Sequence, residues 1–274
     1  MPHIPLEDNF NDIIGKAKRG LKLGDAQLAE RAGVSVDEIG RIESGQAKPE
    51  TLQKLAKVLN LGPGTLVDSA QKSWYPRTEE VTGLAQFNTP YHDMTVNAYL
   101  VWDLKTKGAA AFDTGADCSP ALQFIKANHL TVKLILLTHT HADHIADLDR
   151  LRSATGAKAF VSQIEALSGA ETFSEGRTFH VGGLEIQTRL TSGHSAGGIT
   201  YLIARLARPV AVVGDSLFAG SMGGGGVSYA DALANNRKKI LSLPEDTILC
   251  PGHGPLTTVG EEKRHNPFFP EFQA

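Results

Sequence analysis

The chain has 274 residues, and its 27 Lys and Arg against 30 Asp and Glu give a formal charge of −3. This length allows two domains with a large buried core, and the charge argues against a general polyanion binder. No apolar run is long enough to span a membrane, and residues 1–9 lack a basic-then-apolar signal pattern. Two cysteines, Cys118 and Cys250, are too few for a disulfide framework, so we expect a cytoplasmic protein.

The first seventy residues carry a purely helical pattern. Apolar side chains recur there at helical spacing in five short segments. Gly33 is placed to end the second helix and Ser35 to cap the third. Pro49 and Pro63 stand where the fourth and fifth begin, a position that proline favours. We therefore predict a five-helix domain over residues 1–70.

The second and third helices carry a recognisable pattern, LAERAGVS over 28–35 followed by Ile39, RIESG over 41–45 and Pro49. It resembles the Cro/C1-type helix-turn-helix domain. The resemblance implies DNA recognition through the starts of these helices. The candidate DNA-contacting residues are Val36, Asp37, Glu38 and Arg41.

The charge of this domain opposes that use. Two of the four candidates are acidic, and residues 1–70 hold nine Lys and Arg against ten Asp and Glu. Specific DNA complexes usually depend on several phosphate contacts from basic residues. We therefore expect the domain to associate with protein, most simply as a homodimer, more strongly than with specific DNA.

A polar segment over 71–83 predicts a linker, and strands follow in a second predicted domain over 84–274. Residues 97–102 and 109–112 are predicted to form a hairpin. The second of these strands leads directly into Asp113, before a predicted helix over 120–129.

The sequence THTHADH over 138–144 is the densest cluster of metal-ligating side chains. It follows an apolar run over 132–137, which predicts a central strand, and it precedes a helical pattern that continues to Thr155. In an extended loop, side chains two residues apart point the same way, so His139 and His141 can bind one metal together. Asp143 and His144 then fall at the start of the helix and can turn toward a second.

Three further predicted strands each end in a glycine-rich turn that carries a His or an Asp. The pairs are 184–190 with His194, 210–213 with Asp215, and 247–250 with His253. Imidazole and carboxylate ligands without thiolate suit zinc, iron(II) or manganese.

These motifs, in this order over about 84–269, resemble the metallo-β-lactamase superfamily and its glyoxalase II-like branch of thioester hydrolases. The resemblance assigns His139, His141 and His194 to a first metal, and Asp143, His144 and His253 to a second, with Asp215 bridging. Asp113 would orient a ligand histidine from behind. Its alternative role is to cap the turn before the 120–129 helix.

The implied fold is α+β, a five-helix helix-turn-helix bundle followed by an αββα sandwich. Two divalent cations, zinc most simply and iron or manganese otherwise, would share a hydroxide that attacks an ester-like bond in a small-molecule substrate. We expect a thioester or a lactone, and we expect Asp143 and Asp215 to be the catalytic residues. No membrane partner is expected.

Two other functions fit the same motifs. One is a mononuclear iron persulfide dioxygenase that uses only His139, His194 and Asp215. The other is a ligand-sensing, DNA-binding transcription regulator. Within the hydrolase branch, the segment 219–226 lacks the arginine that glutathione-specific members carry there. We therefore do not expect hydrolysis of S-lactoylglutathione itself.

Overall fold

Helices occupy the first part of the chain in the computed structural model, which describes residues 3–77 and 80–273. They are α1 Phe10–Gly20, α2 Asp25–Ala32, α3 Val36–Glu43, α4 Pro49–Leu59 and α5 Pro63–Gln71. Ser35 caps α3, because its Oγ accepts the Glu38 amide at 3.2 Å while the Glu38 carboxylate accepts the Ser35 amide at 2.9 Å. Gly33 ends α2 in the left-handed region at φ +63°, where glycine has no steric penalty.

The ends of the predicted domains and part of the predicted linker cannot be compared with the structure. The residues concerned, Met1, Pro2, Thr78, Glu79 and Ala274, lie outside the described residues. No helix in the described ranges is both long and apolar enough to cross a membrane.

Two six-stranded sheets pack face to face after the helical part. The first contains, in spatial order, β1 Leu84–Tyr91, β2 Met94–Trp102, β3 Gly108–Phe112, β4 Thr131–Leu136, β5 Lys158–Ser162 and β6 Ala170–Phe173. The second contains, in reverse spatial order, β7 Thr178–Val181, β8 Leu184–Leu190, β9 Ile199–Ala204, β10 Val210–Gly214, β11 Ile248–Pro251 and β12 Thr257–Thr258. The first sheet is parallel from β3 to β6, and β10 pairs with β11 in parallel in the second.

Helices cover the outer faces of both sheets. They are α6 Ser119–Ala127, α7 Ala142–Ile145, α8 Leu148–Thr155, α9 Tyr229–Asn235 and α10 Val259–His265. Apolar side chains such as Phe112, Tyr201 and Ile203 fill the space between the sheets. A second cluster, with Leu100, Ile135 and Leu151, lies between the first sheet and its helices. The predicted α+β fold, a five-helix bundle followed by an αββα sandwich, is confirmed.

The helix after the THTHADH sequence is not continuous, although its apolar spacing predicts one helix to Thr155. The structure divides it into α7 and α8 at Ala146 and Asp147. The Asp147 amide donates to Thr114 Oγ1 at 3.2 Å, and the Asp147 carboxylate accepts the Cys118 amide at 2.8 Å. These tertiary hydrogen bonds take the place of helical ones.

The helical domain packs directly on the sandwich. Phe10, Ile13 and Leu66 share one buried apolar cluster with Met222 and Phe268. The contact is close: a β-carbon added to Gly20 would lie 2.2 Å from Tyr229 Cγ. The Gly62 amide also donates to the Pro267 carbonyl at 2.7 Å.

The predicted linker is fixed to α10 by an aromatic side chain. Trp74 Nε1 donates to Glu261 Oε2 at 3.0 Å, and its ring stacks on His265 at 4.9 Å between centroids. Trp74 also packs on Gly220, where an added β-carbon would lie 2.8 Å from the indole. The linker therefore reaches the segment that follows Asp215.

Glu262 of α10 is a fully buried carboxylate that holds this segment from the sandwich side. Its Oε2 accepts the Gly220 amide at 3.0 Å and Asn266 Nδ2 at 2.7 Å, and its Oε1 accepts Thr257 Oγ1 at 2.7 Å. Burial raises the pKa of Glu262 to about 7, against the opposing effect of these three donors.

Replacing Glu262 with Gln should flatten the pH dependence of stability. The unfolded carboxyl titrates at its ordinary value of 4.5, so between that pH and about 7 the native state binds the additional proton. The contribution of Glu262 to stability is therefore highest at low pH and falls as the pH rises. In urea unfolding, the free energy of unfolding of the wild type should fall between pH 5 and pH 8 by on the order of 3 kcal/mol more than that of Glu262→Gln. If the unfolding free energies of the two proteins changed equally with pH, the raised pKa of Glu262 would be contradicted.

Candidate metal centre

Loops at the ends of strands from both sheets bring together the seven side chains predicted as metal ligands. The histidine pair follows β4, and the three later ligands follow β8, β10 and β11. Their ligand atoms form two groups, and within each group all atoms lie within 4.8 Å of one another. The first is His139, His141, His194 and Asp215, and the second is Asp143, His144 and His253.

Asp215 lies between the two groups. Its Oδ2 is 3.3 Å from His194 Nε2 in the first group and 3.4 Å from His253 Nε2 in the second. Its Oδ1 is 3.3 Å from His144 Nε2. The Asp215 carboxylate therefore contacts histidine nitrogens of both groups.

Of the five histidines in the two groups, four have one ring nitrogen hydrogen-bonded to an acceptor outside the groups. The pairs are His139 Nδ1 with Thr138 Oγ1 at 3.0 Å, His144 Nδ1 with Asp113 Oδ2 at 2.8 Å, His194 Nδ1 with the Gly224 carbonyl at 3.0 Å, and His253 Nδ1 with the Thr95 carbonyl at 2.6 Å. The Thr138 hydroxyl donates its own hydrogen to Asp113 at 2.7 Å, so it accepts from His139. Each Nδ1 therefore carries a hydrogen, and each Nε2 faces the centre.

His141 has the opposite orientation. Its Nδ1 lies 3.0 Å from Nε2 of His139 and 3.0 Å from Nε2 of His194. Three ring nitrogens that converge in this way suit one cation. His141 is exposed and His194 is half-buried, whereas His139 is buried, so the first group opens to solvent on the His141 side.

Two buried atoms show that a cation fits between these residues. His144 Nε2 and Asp215 Oδ1 form an ion pair at 3.3 Å, but neither makes a hydrogen bond of good geometry. Buried polar atoms without partners are rare in native proteins, and a cation between the two would satisfy both. Neither group contains a cysteine, and imidazole with carboxylate suits zinc, iron or manganese. The residues form a site for a divalent metal.

Asp113 contacts His144, a predicted ligand, as the first of its two predicted roles requires. Its carboxylate accepts the Thr138 amide at 2.7 Å, the Thr138 hydroxyl at 2.7 Å and His144 Nδ1 at 2.8 Å. At the start of α6 the acceptor is Asp117 and not Asp113: Asp117 Oδ1 accepts the Ser119 amide at 2.8 Å. Asp113 has φ +55°, a left-handed conformation that Asp tolerates better than most residues.

Glu165 joins two of the loops that carry predicted ligands, and no sequence motif marks it. Its Oε2 accepts the Thr140 amide at 3.1 Å, and its Oε1 accepts the Gly197 amide at 2.7 Å. The carbonyls of Gly224 and Thr95 were missed as well, because a backbone acceptor leaves no signal in residue identity.

The ion pairs at the centre shift the pKa values of Asp215, His144 and His253. Burial alone would raise the pKa of Asp215, but His144 and His253 hold it well below its usual range. Burial likewise opposes protonation of His144 and His253, yet Asp215 raises their pKa values to about 10 and about 11. Protons and a cation therefore compete for these two ring nitrogens, so metal affinity should fall as the pH falls.

The candidate DNA-contacting residues all lie on α3. Val36 is 52% exposed, and Asp37 and Arg41 are also exposed. The Glu38 carboxylate is turned back on Ser35 as part of the helix cap, and these hydrogen bonds lower its pKa.

Comparison with known proteins identifies both parts of the chain. The metallo-beta-lactamase superfamily model matches residues 93–253, and a helix-turn-helix model matches residues 16–66. The chain belongs to the metallo-β-lactamase superfamily. It is a metal-dependent hydrolase of that superfamily with a helix-turn-helix domain before the sandwich.

Individual relatives resemble the sandwich part. Hydroxyacylglutathione hydrolase GloC of Haemophilus influenzae is 30% identical over 197 residues, which is 63% of this chain and 92% of the relative. The crystal structure of ETHE1 from Myxococcus xanthus superposes with a TM-score of 0.60 at 27% identity, over 68% of this chain and 85% of that one. The structure of TTHA1623 in a di-iron-bound form superposes with a TM-score of 0.55 at 28% identity, over 66% of this chain and 99% of that one.

Replacing Asp113 with Asn should weaken metal binding. Asn fits the left-handed conformation but offers one acceptor oxygen where three donors now converge, so the His144 ring loses its fixed orientation. Loss of such a partner typically lowers metal affinity by about 10–100-fold. Competition with a chromophoric chelator measures this. Asp117→Asn makes the same chemical change at the α6 cap and should leave the affinity unchanged; an equal loss there would refute the orienting role.

Proposed function

We propose that the enzyme hydrolyses an ester-like bond, a thioester or a lactone, with two divalent cations, most simply zinc. The observation that carries the proposal is the place of Asp215, within 3.4 Å of histidine nitrogens from both ligand groups. Two cations bound there would polarise the substrate carbonyl and bring the pKa of a shared water toward neutrality.

The side chains around the centre prepare it for this chemistry. The fixed Nδ1 hydrogens keep the Nε2 lone pairs of four histidines directed at the centre, so little reorganisation is needed when cations bind. Asp143 adds a second carboxylate, half-buried and 3.3 Å from His253 Nε2. Substrate has access from the exposed side of His141.

Water is the nucleophile in this proposal because the nearby side chains are poorly suited to the task. Ser216 Oγ donates to Thr191 Oγ1 at 2.9 Å and belongs to the turn. Both cysteines are buried, and burial raises the thiol pKa of Cys250 and, to about 12, that of Cys118. Free, buried thiols also favour a reducing cytoplasmic location, which we propose for the protein.

The substrate class rests on the relatives. The name of the Haemophilus influenzae relative supports a thioester. The glycine-rich segment 219–226, which follows Asp215, offers no cationic side chain for an anionic leaving group. We therefore propose a thioester other than S-lactoylglutathione, or a lactone.

Metal content tests whether two cations bind. Protein purified without added metal and then loaded with zinc should hold two ions per chain by elemental analysis. Asp143→Ala removes a ligand of the second group and should leave one. One ion in wild type, together with unchanged content in Asp143→Ala, would contradict the dinuclear site.

Turnover tests the reaction. On a panel of thioesters and lactones, Asp215→Ala should lower kcat/KM by several orders of magnitude, since the carboxylate shared by the two groups is lost. Ser216→Ala, next to it in the chain, should lose much less. Retained hydrolysis in Asp215→Ala would rule out this mechanism.

A mononuclear iron persulfide dioxygenase is the second candidate. His139, His194 and Asp215 supply the two imidazoles and one carboxylate of a non-haem iron site, with Asp215 Oδ2 3.8 Å and 3.3 Å from the two ring nitrogens. The close approach of His141 Nδ1 to both histidines argues for an additional ligand and so for the hydrolase. Oxygen consumption with a persulfide substrate, without thioester or lactone hydrolysis, would favour the dioxygenase over the hydrolase.

For the helix-turn-helix domain we propose association with protein, most simply a second copy of the chain. Two lysines of α1 that could bind a DNA backbone are already paired: Lys16 with Asp8, and Lys18 with Asp25 and Glu43. The first turn of α3 carries two acidic residues, Asp37 and Glu38, and their negative charge opposes the approach of DNA phosphates.

The full chain should therefore sediment as a dimer at micromolar concentration and select no operator from random duplexes. Specific complexes commonly bind at about 10⁻⁸ M or tighter at physiological salt, so an enriched sequence bound near that strength would overturn the proposal in favour of a transcription regulator. A monomer in sedimentation would exclude the dimer.

A further inference from the structure

The segment Ala219–Gly226, here called the glycine loop, contacts two metal-ligand residues directly. The Gly224 carbonyl accepts the hydrogen of His194 Nδ1 at 3.0 Å. A β-carbon added to Gly223 would lie 2.0 Å from the Asp215 carbonyl oxygen and 2.8 Å from His194 Nδ1. The backbone of this loop therefore fixes the ring of His194, and a small shift of the loop would turn that ring.

The opposite side of the glycine loop is held by the helical domain. Lys16 of α1 donates from Nζ to the Met222 carbonyl at 2.9 Å. The same ammonium pairs with Asp8, which also accepts the Ser221 hydroxyl. The side chains of Lys16 and Asp8 are only 14% and 8% exposed, so this is a buried network and not a surface ion pair.

The sandwich itself fixes the loop at other points. Glu262 accepts the Gly220 amide, and Asn266 Nδ2 donates to the Ser221 carbonyl at 2.7 Å. The far end of the loop is held where the Val227 amide donates to the Gly193 carbonyl at 3.0 Å. The bond from Lys16 lies between these points, two residues before the carbonyl that orients His194.

We propose that Lys16 is a positioning residue of the metal centre. By fixing the Met222 carbonyl, the helical domain keeps the Gly224 carbonyl where it orients His194 toward the first ligand group. A charged donor is suited to this because charge-assisted hydrogen bonds are roughly twice as strong as neutral ones. The inference rests on the metal site proposed above, and it gives the helix-turn-helix domain a role in the chemistry of the sandwich.

The test compares two lysines of the same helix. Lys16→Met keeps much of the aliphatic stem and removes the donor. Lys18→Met makes the same change at a lysine whose partners, Asp25 and Glu43, both belong to the helical domain. Metal-free protein is titrated with zinc against a chromophoric chelator, which separates a site-specific loss from a general loss of stability.

We expect Lys16→Met to weaken one zinc-binding step by about 10-fold, the lower end of the effect of losing a group that orients a ligand. Lys16→Arg, which keeps a long cationic donor, should recover most of this affinity, and Lys18→Met should retain all of it. Unchanged affinity in Lys16→Met, or an equal loss in Lys18→Met, would overturn the inference. Wild-type protein that bound no zinc would instead refute the proposed function.

A second variant covers the case in which Lys16→Met does not fold. Asp8→Asn removes the charge paired with Lys16 and keeps an oxygen that can accept from Ser221. It should weaken the same zinc-binding step, by less than Lys16→Met would. Wild-type affinity in folded Asp8→Asn would overturn the inference.

Discussion

The buried carboxylate of Asp113 gives the THTHADH sequence its shape. It accepts hydrogen bonds from the amide and the hydroxyl of Thr138 and from the ring of His144, so it fixes both the end of β4 and a residue of α7. The Thr138 hydroxyl in turn accepts from His139. One carboxylate thereby sets the direction of two ligand rings, one from each group. Burial makes these hydrogen bonds costly to lose, because no water can replace them.

The fold was accessible from the sequence, and so was the set of side chains that the structure brings together, because side-chain identity carries both. Strand patterns located the four strands that precede the predicted ligands, β4, β8, β10 and β11, although not every strand of the two sheets. The break between α7 and α8 was not accessible, since the apolar spacing is that of a continuous helix. It depends on the contacts of Asp147 with Thr114 and Cys118, which are distant in the sequence. Long-range polar contacts of this kind override local helical preference.

Apart from Asp113, the groups that orient the ligand side chains were the other part that could not be predicted from the sequence. His194 and His253 are oriented by the carbonyls of Gly224 and Thr95, and every residue type has a carbonyl. Glu165 joins two ligand loops from a short turn with no recognisable motif. The contact between the two domains leaves no signal in the sequence for the same reason, because Lys16 donates to a backbone carbonyl of the sandwich, that of Met222.

The placement of the ligands on both sheets has a consequence for the order of events during folding. Only the cluster at 139–144 is local in sequence, and the remaining ligands arrive from loops as distant as His253. An unfolded chain therefore offers a cation a few neighbouring side chains and binds it weakly, whereas the folded chain offers two complete groups. A cation would therefore bind tightly only once the sheets have packed, and its binding free energy would add to the stability of the native state. It would also connect the two sheets, because the 139–144 cluster follows β4 of the first sheet and the other candidate ligands follow strands of the second.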